Sequence, residues 1–101
     1  MEIRYPALLE PQQPEGFLVT FPDLDDAFTE GKTEEEALFN AAEVLTAMLE
    51  WRLDHGKPVP EPSKGIPGAH EVAPDARMQA AILMRLARGE RPVADFLIQN
   101  L

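Results

Sequence analysis

One stretch constrains the fold more than any other: residues 33–58, TEEEALFNAAEVLTAMLEWRLDHGKP. Thr33 can cap a helix, and Glu36 stands three residues on, the spacing of a capping box. Glu34, Glu35 and Glu36 fill the first turn, where the positive end of the helix dipole favours carboxylates. Leu38, Ala41, Ala42, Leu45, Met48, Leu49 and Arg52 recur at three- and four-residue spacing, which draws one stripe along one face. Glu36, Asn40, Glu43, Thr46 and Glu50 fall opposite and predict a solvated face. Gly56 and Pro58 end the pattern. A helix of this kind needs an apolar surface to cover.

The preceding residues supply that surface as strands. Ile3, Tyr5, Ala7 and Leu9 alternate with Arg4, Pro6, Leu8 and Glu10. Pro6 cannot donate to a ladder, which predicts an edge side or a bulge there. Residues 11–16 form a polar connection with two prolines and a glycine. Phe17, Val19 and Phe21 share one face of a second strand. Residues 23–26 predict an acidic turn, and residues 27–30 a short third strand ended by Gly31. The expected fold class is α+β, a small antiparallel sheet with one long helix packed on it.

Beyond the helix, residues 57–68 are rich in Pro and Gly and predict a loop. A fourth strand is expected near residues 70–73. From residue 74 the character changes. Asp75 can cap a helix reaching about Arg88, with Met78, Ile82 and Leu86 on one side and Leu83 beside them; Gly89 ends it. Pro92 opens a further short helix over residues 93–99, with Val93, Phe96 and Leu97 as its apolar side. Residues 1–73 therefore divide from a helical segment, 74–101.

Composition excludes several classes of function. The chain has 101 residues, 45% of them hydrophobic, which suits one small folded domain. It has no cysteine, hence no disulfide, no thiolate metal site and no thiol nucleophile. The start, MEIRYPALLE, lacks the pattern of a signal peptide, and no run is long enough to span a bilayer. A soluble cytoplasmic protein is expected. Charge is uneven: residues 1–63 carry four basic and fourteen acidic residues, a net of −10, whereas residues 64–101 carry +1. An acidic body repels nucleic acid and attracts a basic partner. The same charge also serves plain solubility.

Enzymatic readings find little support. Two-metal nuclease chemistry needs convergent carboxylates. The candidates are Glu2 or Glu10, one of Glu36, Glu43 and Glu50, and Glu71 or Asp75. The helix glutamates fall on the predicted solvent face. His55 and His70 lack close-spaced ligand partners, Ser63 lacks a histidine, and there is no glycine-rich phosphate loop. No catalytic residue, metal ligand or cofactor is assigned.

Gly16-Phe17, Phe21-Pro22-Asp23-Leu24, Thr29-Glu30-Gly31, Thr33, Glu36-Ala37, Asn40-Ala41 and Pro60-Glu61-Pro62-Ser63 stand in the order and spacing of HicB-type antitoxins. The resemblance covers about residues 3–63. It implies a partial ribonuclease-H-like β-β-β-α-β unit that binds and neutralises a small basic HicA-type toxin, an mRNA-cleaving protein. Asp23, Asp25 and Asp26 are candidate toxin contacts, although Asp is equally at home in turns. Phe39, off the helix stripe, and Trp51, at its margin, are candidate anchors, since exposed aromatics favour interfaces. Many HicB proteins continue into a helix-turn-helix domain. Arg85, Arg88 and Arg91 are therefore candidate DNA contacts for an alternative role as autorepressor, diluted by Asp75, Glu90 and Asp95. Operator DNA is expected as a partner only if a complete C-terminal domain exists. A stand-alone family member with an unknown ligand is the third reading. A homo-oligomer is expected, and no membrane partner.

Overall fold

The computed structural model of the protein describes residues 2–88. Chain order is β1 (Tyr5–Pro11), β2 (Phe17–Phe21), β3 (Leu24–Gly31), α1 (Glu34–Asp54), β4 (His70–Val72) and α2 (Ala76–Arg88). The strands form one four-stranded sheet in the order β3-β2-β1-β4. All three pairings are antiparallel. The class is the α+β arrangement that the hydrophobic pattern predicts, with α1 lying across one sheet face.

The core follows from two periodicities. Tyr5, Ala7, Val19 and Phe21 alternate along β1 and β2 and are buried from the sheet side, and a register shift at Thr20/Phe21 brings Leu24 as well as Ala27 of β3 onto the same face. Ala37, Ala41, Leu45 and Leu49, spaced four apart, are buried from the helix side. Ala37 leads this line, and Leu38 is only half-buried beside it. Met78 and Ile82 of α2 complete the same core. Gln79 fastens α2 to the chain start: its Oε1 accepts from the Ile3 N–H at 2.7 Å, and its Nε2 donates to the Ile3 carbonyl at 2.7 Å.

Both ends of α1 are built as local chemistry dictates. The Thr33 hydroxyl accepts from the Glu36 N–H at 3.1 Å, and the Glu36 carboxylate accepts from the Lys32 N–H at 3.0 Å. At the other end Gly56 takes a positive φ of 64°, open to glycine without steric cost. The Lys57 N–H then donates to the Arg52 carbonyl at 2.8 Å, and the Gly56 N–H to the Leu53 carbonyl at 3.4 Å. These are the two bonds of a Schellman motif. The first turn of α1 is pressed against the end of β3. A Cβ built on Gly31 would lie 2.4 Å from the Ala37 nitrogen and 2.6 Å from its Cα.

Two expectations need correction. The acidic turn is shorter than its composition suggests. Only Pro22 and Asp23 turn the chain, and Asp25 and Asp26 belong to β3. The cause is Leu24, fully buried and paired with Phe21, which draws the chain straight back into the sheet. Asn40 and Thr46 do more than face solvent. The Asn40 amide donates to the Glu30 carbonyl at 2.9 Å, and the Thr46 hydroxyl accepts from the Asp75 N–H at 3.1 Å. At Pro6 the β2 side of β1 is an edge, as the missing N–H predicts. The strand pairs with β4 over residues 5–7 and with β2 only from Leu8 onward. Pro6 thus lies beyond the end of the β2 ladder, where no donor is required.

Tyr5 joins the sheet to the loop after α1. Its side chain is buried, and its hydroxyl donates to the Pro60 carbonyl at 2.7 Å. Burial pushes the phenol up to about 12, helped by the negative charge of Asp23 and opposed by Arg52. The unfolded chain would release that proton near the ordinary value of about 10. The stabilisation is therefore whole below pH ~10 and is lost as pH rises through about 12. In Tyr5→Phe this alkaline loss should vanish, while neutral-pH stability falls by about 1 kcal/mol for the missing hydrogen bond. Denaturant midpoints of both proteins from pH 8 to 12 check the difference.

Candidate partner-binding site

The two sequence-predicted groups of binding residues lie on different parts of the molecule and have different company. Asp23, in the turn between β2 and β3, holds the loop after α1. Its Oδ2 accepts from the Ser63 N–H at 2.8 Å, and its Oδ1 from the Ser63 hydroxyl. Asp26 accepts from the Arg52 guanidinium at 3.0 Å, an ion pair between β3 and the last turn of α1. A second Arg52 nitrogen donates to the Pro58 carbonyl at 3.1 Å. Asp25 is exposed. Two of the three aspartates are thus committed to holding the fold, and the side chain of Asp25 faces water.

Phe39 and Trp51 are both exposed on α1, at 66% and 42%. Twelve residues of helix separate them, roughly 18 Å along the axis, so they do not make one patch. Phe39 borders a shallow groove of about 550 Å³ shared with Ala42, Thr46, Glu50, Ala73 and Arg77. Arg77 pairs with Glu50 across it. Trp51 stacks on His55 with ring centroids 4.3 Å apart.

The candidate DNA contacts divide likewise. Arg85 is half-buried and donates to the Lys57 carbonyl at 3.3 Å. Arg88 ends α2. Arg91, Gly89 and the helix expected over residues 93–99 lie outside the described residues. Among the carboxylates weighed for metal chemistry, Glu2 pairs with Arg4 and Glu50 with Arg77. Glu36 caps α1, and Asp75 caps α2 by accepting from the Met78 N–H at 2.8 Å.

One surface escapes the sequence reading. The sheet face turned away from α1 carries two rows in register across three strands. Leu8, Thr20 and Phe28 form one row; Glu10, Leu18 and Glu30 form the next. Phe28 is 62% exposed although its strand neighbour Ala27 is in the core. An antiparallel sheet open to water usually carries polar residues on that side. Here Leu18 lies between two glutamates, and Leu8 and Phe28 add apolar area in the neighbouring row. Ala27 and Phe28 are both apolar, so the sequence alone does not show which of the two faces the core. Phe28 looks like a core residue by type, and only the phase set by Val19 and Ala27 turns it outward.

Known proteins resemble this chain in sequence. The chain is 40% identical over 60 residues to Antitoxin HicB 1 of Photorhabdus laumondii, a match covering 59% of this chain and 39% of that protein. It is 33% identical over 61 residues to Antitoxin HicB of Escherichia coli K12, covering 60% and 44%. It is 31% identical over 58 residues to the UPF0150 protein Ta0767 of Thermoplasma acidophilum, covering 57% and 84%. The matches thus span less than half the length of the two named antitoxins. No helix among the described residues is long and apolar enough to cross a membrane. The family profile described as the HicB_like antitoxin of bacterial toxin-antitoxin system matches residues 4–80, which take in all four strands, α1 and the first turn of α2, and the chain belongs to that family.

Proposed function

We propose that this chain neutralises a small basic HicA-type toxin that cleaves mRNA, and that it does so in the cytoplasm by binding, with no chemistry of its own. The observation that carries this reading is an acidic body, −9 overall, on a member of an antitoxin family. Unlike fields steer encounter, and a desolvated apolar contact then slows dissociation. Covering the toxin's catalytic surface, or keeping RNA from it, would suffice.

The test is titration of this chain into an RNA-cleavage assay with a purified small basic HicA-type toxin, that of the gene adjoining its own where one is encoded there. Cleavage should fall to background near stoichiometric addition, with nanomolar-class affinity that weakens as salt rises. RNA incubated with this chain alone and Mg²⁺ should stay intact. Undiminished cleavage at large excess would refute the reading, and cleavage by this chain alone would refute the absence of chemistry.

A further inference from the structure

We propose that the basic partner docks on the open face of the sheet, with Phe28 as anchor and Glu10 and Glu30 as the charges that orient it. This depends on the toxin-binding reading above and names the surface that would serve it. Three observations converge. Phe28 is exposed at 62% in the middle of a paired strand, so only its side chain, and not its backbone, has to be ordered on binding. Leu8 stands in the same row and Leu18 in the next, which extends the apolar area across three strands. Glu10 and Glu30 flank Leu18 from either side in one row. Two strand spacings put their backbones about 10 Å apart. The complement is a surface with two Lys or Arg side chains about 10 Å apart and an apolar side chain between them.

Charge also decides against the other occupant. A second copy would bring Glu10 and Glu30 toward identical carboxylates, whereas a basic surface neutralises them. The open edge of β3 is less suited to strand addition. Asp25, Asp26 and Glu30 charge it, and charged edges resist pairing. The helix offers no equal site. Phe39 and Trp51 are too far apart to be covered as one hot spot, and the Trp51 ring is already stacked.

The experiment is calorimetric titration of the same HicA-type toxin into the full 101-residue chain and its variants, at two salt concentrations. Phe28→Ala should weaken binding by roughly thirty-fold or more, the loss typical of a hot-spot residue. Glu10→Lys combined with Glu30→Lys should weaken it at least comparably and flatten its salt dependence. Phe39→Ala and Trp51→Ala should each change it by less than about three-fold, as near-neutral residues do. Circular dichroism establishes that each variant is folded; all these side chains are at the surface. If the Phe28 and glutamate variants bind like the parent, or if Phe39→Ala or Trp51→Ala carries the loss, the docking face is wrong and the antitoxin reading survives. If the parent itself does not bind, that reading falls and takes this inference with it. Sedimentation of the chain alone closes the remaining route: a dimer abolished by Phe28→Ala would mean that a second copy covers the face, which overturns the proposal.

Discussion

Gly31→Ala should cost about 3 kcal/mol, the upper end of the range for overpacking. The new methyl group would sit 2.4 Å from the Ala37 nitrogen and 2.6 Å from its Cα, far inside contact distance. Both atoms are backbone, so no side chain can rotate away. Relief requires the first turn of α1 to lift from the end of β3. That movement would disturb the Thr33 cap and the buried Ala37 together. The φ of Gly31 lies outside the left-handed region, so the cost is steric and not conformational. Gly56→Ala is the matched control. Its φ is +64° and its Cβ meets nothing within 4 Å, so that variant measures backbone strain alone, about 1 kcal/mol. Chemical denaturation of both variants gives the comparison, and equal losses would refute the steric account.

Leu45→Ala should cost about 2–5 kcal/mol, the range for a buried leucine cut to alanine. Leu45 is fully buried at the middle of the Ala37, Ala41, Leu45, Leu49 line. Above it lies the sheet and beside it the half-buried Val44 and Met48, which can fill only part of the space. In a domain this small the loss is a large share of total stability. Glu43→Ala, exposed on the other side of α1, should change stability by no more than about 0.5 kcal/mol. Urea midpoints of the two variants decide it. Similar losses would mean that the helix is phased differently from the arrangement described.

Much of this architecture is legible in the sequence, for identifiable reasons. Helix α1 announces itself because Thr33 and Glu36 cap it, Gly56 closes it, and its apolar period holds for about four turns. Asp75 marks α2 by the same chemistry. What stays hidden depends on partners distant in sequence. Nothing local to Asp23 says that its carboxylate belongs to Ser63, forty residues on. Nothing near Asp26 points to Arg52. Asp25 and Asp26 have turn composition, but the burial of Leu24 outweighs that propensity. Phe28 is concealed by its own type, because an aromatic residue in a strand is ordinarily assigned to the core. The surface residues legible in advance were those that break a pattern, Phe39 and Trp51. Phe28 departs from the polar-out pattern only once the strand phase is known, because its neighbour Ala27 is apolar too.

The ties on the loop after α1 also carry an entropic consequence. Strand β4 is only three residues long, and its pairing with β1 must close a long excursion of chain. Left free, residues 55–69 would all have to be ordered by that one short ladder. Pro58, Pro60 and Ser63 are instead held by Arg52, Tyr5 and Asp23, so only residues 64–69 remain to be closed. The logarithmic dependence of loop closure on length puts the saving at about 0.8 kcal/mol, comparable to one net hydrogen bond. The acidic turn between β2 and β3 and the last strand of the sheet thus form one cooperative unit, although they share no ladder. Loosening the Asp23–Ser63 clasp would fray β4, and a frayed β4 would in turn release the strap.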